Sequence, residues 1–232
     1  MLLQEGLIMN NSKNVHVLVE GQTEEAFIRE ILGPYCAQRG VYMTQSRLSK
    51  PGSKGGDVRF SRSRNEIRNF LLQRKDWIIC TFVDYYGIHE WPGPSDIPQH
   101  ASPQQIADLM NNGAKTGMKE SFPHLCYDID SRYIPYTAVH EFETLLFSDC
   151  DILANELNIS PLTVHAVLHQ FGEAERINNS PETAPSKRLL AWNPNYSKTR
   201  KGIAIAKTIG ISKMRKACPL FNVWLNQIGV TP

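Results

Sequence analysis

The sequence predicts an α/β protein: a mainly parallel sheet flanked by helices, with a C-terminal helical extension. Three observations carry this. Two apolar, β-branched segments, "NVHVLVE" at 14–20 and "WIICTFVD" at 77–84, each end in a carboxylate. Segments of helical period alternate with the strands, and that alternation produces parallel sheets covered on both faces. The last third of the chain reads as helical throughout.

The elements follow in order. Residues 14–20 are apolar and β-branched, hence a strand. Thr23 is the expected N-cap of a helix over 24–38, with Ala26, Phe27, Ile31 and Leu32 on one buried face. Residues 41–48 form a second strand, and "KPGSKGGD" at 50–57 is a glycine-rich loop. A helix spans 62–74 with Ile67, Phe70 and Leu71 inward, followed by the strand at 77–84. "GIHEWPGPSDIP" is loop, 103–119 a helix and 132–139 a strand. "HEFETLLFSD" opens a tail with helices at 160–171, 182–192, 200–208 and 212–228. The division this implies is an α/β domain over 14–148 and a helical extension over 149–232 packed on it. No internal repeat or low-complexity segment is present.

Composition narrows the function classes. With 232 residues, 41% hydrophobic and 21% charged, the chain can bury a real core and reads as an ordinary soluble protein. Its longest apolar run, "WIICTFV", falls far short of the ~20 residues a membrane span needs. "MLLQEGLIMN" lacks a basic flank and carries Glu5, so it is a poor signal peptide, and Met9 offers an alternative start. Five scattered cysteines without a CxxC pair point to a reducing cytoplasm and against zinc or disulfides.

A net charge of +2 does not announce a nucleic-acid binder, but its distribution is uneven. Residues 47–75 carry six arginines and three lysines against Asp57 and Glu66. That run is either a solvated face or a phosphate-binding surface. The tail segment "SKRLLAWNPNYSKTRKG" adds Lys187, Arg188, Lys198, Arg200 and Lys201 around Tyr196. Such clusters suit salt-sensitive, sequence-independent backbone contacts. Lys54, Arg59, Arg62, Arg64, Lys187, Arg188, Lys198 and Lys201 are the expected contacts to DNA or RNA.

In open parallel sheets ligands sit beyond the carboxyl ends of the strands. Glu20 and Asp84 fall there, and they converge if their strands are neighbours. Capping alone accounts for Glu24 and Glu25 at a helix mouth, and a turn accounts for Asp84. Two converging carboxylates, however, repel each other unless a cation lies between them. Mg²⁺ takes oxygen ligands, usually one or two carboxylates with waters and phosphates. "HEFE" places His140, Glu141 and Glu143 after another strand, either to start a helix or to deliver an acid to the same rim. With 141–148 helical, Phe142, Leu145 and Leu146 form the buried stripe, and only one of Glu141 and Glu143 faces a cation. Tyr85 and Tyr86 either pack or stack on a nucleotide. His165 and His169 read as a surface helix, since no HExxH pattern joins them. "KPGSKGGD" is not a P-loop, and no serine or cysteine nucleophile motif appears.

"VEGQTEEAF" followed by "TFVDYYG" resembles the Toprim domain of topoisomerases, bacterial primases and OLD-type nucleases, over residues 14–140. A longer set of segments extends the likeness over nearly the whole chain: "VEGQTEEAFIREIL", "GGDVRF", "TFVDYYGI", "HEFETLLFSD", "SPETAPSKRL" and "ACPLFNVWL". Together they resemble a bacterial Toprim-like family of unknown function, often encoded beside an AAA or ABC-type ATPase. The resemblance implies a four-stranded, mainly parallel Toprim-like sheet and Mg²⁺- or Mn²⁺-dependent phosphodiester chemistry. Glu20 then matches the Toprim glutamate, Glu24 the second acid of Glu-Gly-x-Thr-Glu, and Asp84 the first acid of Asp-x-Asp. Tyr86 stands where the second aspartate belongs. Either fewer acids hold the metal, another carboxylate substitutes, or catalysis is lost. The family's Phe-Glu pattern favours Glu143 as substitute, while helix geometry puts Glu141 nearer the buried side. The expectation is a metal-dependent nuclease or related phosphoryl-transfer enzyme of bacterial defence or DNA repair, using Glu20, Asp84 and Glu143, with Glu24 and Glu141 as further ligands. Its rival is a non-catalytic module that binds an ATPase partner or nucleic acid.

Overall fold

The computed structural model describes residues 12–48, 58–86, 88–93, 95, 97–177 and 183–231. The expected loop at 50–57, Lys54, Met9 and Glu5 lie outside the described residues.

Strand β1 (Lys13–Val19) buries Val15, Val17, Leu18 and Val19 completely. A run buried on both faces belongs in the middle of a parallel sheet. The chain surfaces at Glu20 and turns at Gly21 into α1 (Gln22–Phe27), which continues through a π-helical turn at Ile28–Leu32 into α2 (Gly33–Ala37). Gly33 permits that turn, because a Cβ there would lie 2.8 Å from the Ile28 carbonyl oxygen. The N-cap is Gly21 and not Thr23, which is buried within the first turn. The expected single helix of 24–38 therefore begins earlier and is interrupted once.

Then follow β2 (Val41–Arg47), β3 (Val58–Arg59), α3 (Phe60–Gln73), β4 (Trp77–Asp84), β5 (Ile88–His89), α4 (Pro103–Ser121), α5 (Cys126–Arg132) and β6 (Tyr136–Ala138). The main sheet has the order β2-β1-β4-β6 and is parallel throughout. Val19 pairs with Phe82, Phe82 with Tyr136, and Asp84 with Ala138, so three strand ends meet at one rim. The strand expected over 132–139 shrinks to three residues. Pro135 has no N–H to give a ladder, and upstream of it only an isolated bridge joins Tyr133 to Ile79. β3 and β5 pair separately inside what reads as loop.

A 3₁₀ segment, Phe142–Ser148, leads into α6 (Cys150–Leu157), α7 (Pro161–Phe171), α8 (Pro185–Trp192), α9 (Ile203–Ile209), α10 (Ile211–Ala217) and α11 (Pro219–Gln227). The helix expected over 212–228 is split, because Pro219 starts a new helix at its first position. α5 is not foreseen from the sequence, and α6 falls in the expected helical tail without a range of its own; Asp149 caps α6 by accepting from the Ile152 N–H at 2.9 Å. Among the described residues, no helix is long and apolar enough to cross a membrane.

The tail shares the sheet's core. Trp224 stacks on Tyr136 with ring centroids 4.9 Å apart and meets Phe82 edge-on at 5.9 Å. Phe27 in turn contacts Phe142 at 5.3 Å and Phe221 at 6.2 Å. Aromatic side chains of this size dominate core energetics. We expect Trp224→Ala to cost about 3–5 kcal/mol in urea unfolding. A loss below about 1 kcal/mol would mean that the tail does not stabilise the sheet.

Candidate functional site

The rim is built by three successive strand ends. Glu20 follows β1, Asp84 ends β4, and His140 to Glu143 follow β6. Because β1 and β4 are neighbours, the Glu20 carboxylate reaches across and accepts from the Asp84 backbone N–H at 3.2 Å. Glu24 turns back and accepts from the Gly21 N–H at 3.0 Å, the reciprocal half of a helix cap. Capping is thus one role of Glu24, but its side chain is 7% exposed where caps are ordinarily solvated. Glu143 is fully buried. Its Oε1 accepts from the Tyr196 hydroxyl at 3.3 Å, and its Oε2 lies 3.0 Å from Lys198 Nζ in an ion pair, without a well-directed hydrogen bond.

Lys198 and Tyr196 come from the tail. Lys198 opens the π-helical turn Lys198–Gly202 before α9. Gly202 leaves room for Tyr196: a Cβ there would sit 2.7 Å from the tyrosine hydroxyl oxygen. Glu141 takes a different role from Glu143. Its two oxygens accept from the Ser186 N–H at 2.8 Å and the Ser186 hydroxyl at 3.0 Å, which caps α8, and it lies 3.9 Å from Lys198. The 3₁₀ form of 142–148 explains the difference from the helical expectation. With three residues per turn, Glu143 turns inward with Phe142, while Glu141 stays in the preceding extended link.

Burial pushes the Asp84 carboxyl well above its ordinary value, and Glu24, Glu20 and Glu143 push it further while Lys198 opposes them. Burial likewise raises Glu20, Glu24 and Glu143, each partly relieved by Lys198. Burial works against the Lys198 ammonium, yet Glu143, Glu141 and Asp84 outweigh it and hold its pKa above the usual lysine range. Four crowded acids therefore share one ammonium, on a side chain that keeps contact with solvent. Asp84 Oδ1 is buried with no hydrogen-bond partner. Among the described residues, no group of three or more His, Cys, Asp or Glu side chains is arranged to hold a metal ion; Glu20 and Glu24 each commit an oxygen to a backbone N–H.

His140 is held at φ 87°, in the left-handed region that non-glycine residues seldom adopt. Its ring stacks on Tyr86 at 5.8 Å, and Tyr86 meets Tyr85 edge-on at 4.8 Å. Burial lowers the His140 pKa to about 4, so the ring is neutral at pH 7. Of the described residues expected to contact nucleic acid, Lys198 is brought together with these acids; its ammonium pairs with Glu143 while its side chain stays 43% exposed. Arg59 pairs with Glu90 at 3.1 Å, Arg64 donates to the Ser121 hydroxyl at 3.1 Å, and Arg188 donates to the Thr183 carbonyl at 2.8 Å. Lys187 is exposed, and Arg62 and Lys201 are half-buried. His165 pairs with Asp151 at 3.2 Å on the surface. Lys198 and Tyr196 are the members of the site that sequence reasoning did not set beside the acids. Their only sequence signal is an aromatic–basic cluster, which reads equally well as surface.

The fold and rim define an α/β protein with an acid-lined carboxyl edge to a four-stranded parallel sheet. The chain belongs to the family described as Domain of unknown function (DUF4276), which it matches over residues 19–229. No curated protein sequence matches it. Among solved structures it is similar to the C-terminal region of the Xanthomonas campestris pv. campestris OLD protein, at 12% identity and a TM-score of 0.36, covering 94% of this chain and 98% of that one.

The raised acids set a pH dependence. Above the point where the unfolded chain loses these protons the folded state still holds them, so the cluster destabilises the fold as pH rises. His16 and His140, lowered to about 4, act in the opposite sense below pH 6.5. A difference measurement separates the two. In melting curves without divalent cations, Asp84→Asn should gain stability on the wild type as pH rises above the ordinary carboxylate range. A gap that stays constant or narrows would contradict the clustering.

Proposed function

We propose that the chain is a divalent-metal-dependent nuclease or related phosphoryl-transfer enzyme acting on nucleic acid. The observation that carries this is the unpartnered, buried Asp84 Oδ1 amid Glu20, Glu24 and Glu143 at the carboxyl edge of the sheet. An all-oxygen donor set fits a hard cation such as Mg²⁺ or Mn²⁺. Glu20, Glu24, Asp84 and Glu143 would hold it, with Glu143 in place of the acid missing at Tyr86. Such an ion, when bound, polarises a phosphate and lowers the pKa of an attacking water.

The chain's own groups then have separable tasks. Tyr196 orients Glu143 through its hydroxyl, and Gly202 keeps the space for it. Glu141 stays on α8 and helps to position Lys198. Once the carboxylates share a second cation, the Lys198 ammonium is available to balance charge on the transferring phosphoryl group. Bacterial defence or DNA repair is the setting such chemistry fits.

A second reading is a non-catalytic module that binds an ATPase partner or nucleic acid. Tyr86 in the acid's place, half exposed and stacked on His140, favours it. Cleavage separates the two. Mn²⁺-dependent degradation of single-stranded DNA, duplex DNA or RNA should fall about a hundredfold or more in Asp84→Asn and in Glu143→Gln. Binding without cleavage in the wild type supports the module, and full activity in both variants removes the proposed site.

For nucleic-acid contact, the cations without a strong internal commitment are the informative ones. Replacing Arg62, Lys187 and Lys201 together with Gln should weaken binding alike across sequences and reduce the slope of log affinity against log salt by about 2–3. An unchanged slope makes them a solvated face.

A further inference from the structure

Arg215, in α10, is a buried cation with only neutral partners. It is 6% exposed. Its Nε donates to Asn222 Oδ1 at 2.7 Å and its Nη2 to Asn226 Oδ1 at 2.6 Å. Its Nη1 is buried and has no hydrogen-bond partner. Among the described residues it forms no ion pair. A guanidinium cannot shed its charge. A buried charge balanced only by amides is costly, and a buried polar group left unpaired requires a cause.

The surroundings supply one. Arg215 lines a cleft of about 580 Å³ with Tyr35, Ser212, Lys216 and Asn222. No lining residue is acidic. A third cation stands close by, since the Arg39 guanidinium lies 3.6 Å from the centre of the Tyr35 ring. The cleft is remote from the acidic rim. Tyr35 and Glu24 sit at opposite ends of the α1–α2 helix, roughly 16 Å apart along its axis.

We infer that this cleft binds a phosphate-bearing small molecule, whose oxyanion accepts from Lys216 Nζ and the Ser212 and Tyr35 hydroxyls and balances the Arg215 charge in the cleft wall. The cleft offers an ammonium and two hydroxyls that can donate, with no acidic lining residue, and a phosphate dianion presents only acceptors. A phosphate dianion balances both Arg215 and Lys216, whereas a carboxylate balances one. The cleft exceeds the size of the bare ion and falls in the range of small-molecule pockets, so the ligand is a phosphate ester.

The test is thermal unfolding of the full chain with a nucleoside monophosphate, inorganic phosphate or acetate as probe, at matched ionic strength. Phosphate stabilises most proteins by exclusion from their surfaces, so the variants decide. Lys216 and Ser212 are exposed, and their replacement leaves the core intact. The nucleoside monophosphate should stabilise saturably and more tightly than free phosphate, with affinity about tenfold weaker in Lys216→Gln and reduced in Ser212→Ala. Acetate should have no saturable effect. Equal responses in the wild type and both variants, or acetate as effective as phosphate, would overturn the assignment. Asp84→Asn should retain the full response; its loss there would assign the phosphate to the acidic rim and overturn the cleft as the site.

Discussion

The ion pair between Lys198 and the fully buried Glu143, 3.0 Å apart, is the contact on which the acidic rim depends. Parallel pairing of β1, β4 and β6 brings Glu20, Asp84 and Glu143 to one edge whether or not their charges suit each other. Left alone, such a cluster must hold protons or open to water. The tail lessens that cost by setting one ammonium against the cluster, yet the acids stay above their ordinary values. That requirement explains why the helical segment cannot be an appendage. It supplies the cation and the Tyr196 hydroxyl to the site, and it supplies Phe221 and Trp224 to the core beneath.

Two acids one residue apart show how local conformation divides labour. Glu141 and Glu143 share a motif, a charge and a neighbourhood. Glu141, in extended backbone, meets the amide and hydroxyl of Ser186 and becomes part of a helix start. Glu143, two residues on and inside the 3₁₀ segment, loses water entirely and has only Tyr196 and Lys198 to replace it. The same division runs through the amino-terminal motif. Glu20 and Glu24 both lie at the rim, each restrained by one backbone N–H.

Much of this was legible in the chain. Apolar strands ending in carboxylates report their burial and their exit from the sheet, because a buried strand and its rim have different solvation requirements. The strand positions and the helical tail follow from such local signals. What sequence could not show is what depends on distant partners. Lys198 and Tyr196 read as a surface patch, since nothing near them in the chain says that they fold against acids from the other end. Gly21 displaced Thr23 as cap because the Glu24 side chain turned back on it, and Pro135 cut β6 short by withholding one donor. Arg215 carries no local mark at all: its isolation from acids exists only in three dimensions.

The central claim is that the cluster around Asp84 is a cation site that Lys198 fills in part. Anomalous diffraction from crystals of the wild-type protein soaked in Mn²⁺ tests it most directly. The account predicts a peak about 2.1 Å from Asp84 Oδ1, with Glu20 or Glu24 turned from its backbone N–H to share it and the Lys198 ammonium drawn back. A structure at saturating Mn²⁺ with no peak at the rim, and Lys198 unmoved against Glu143, would contradict it.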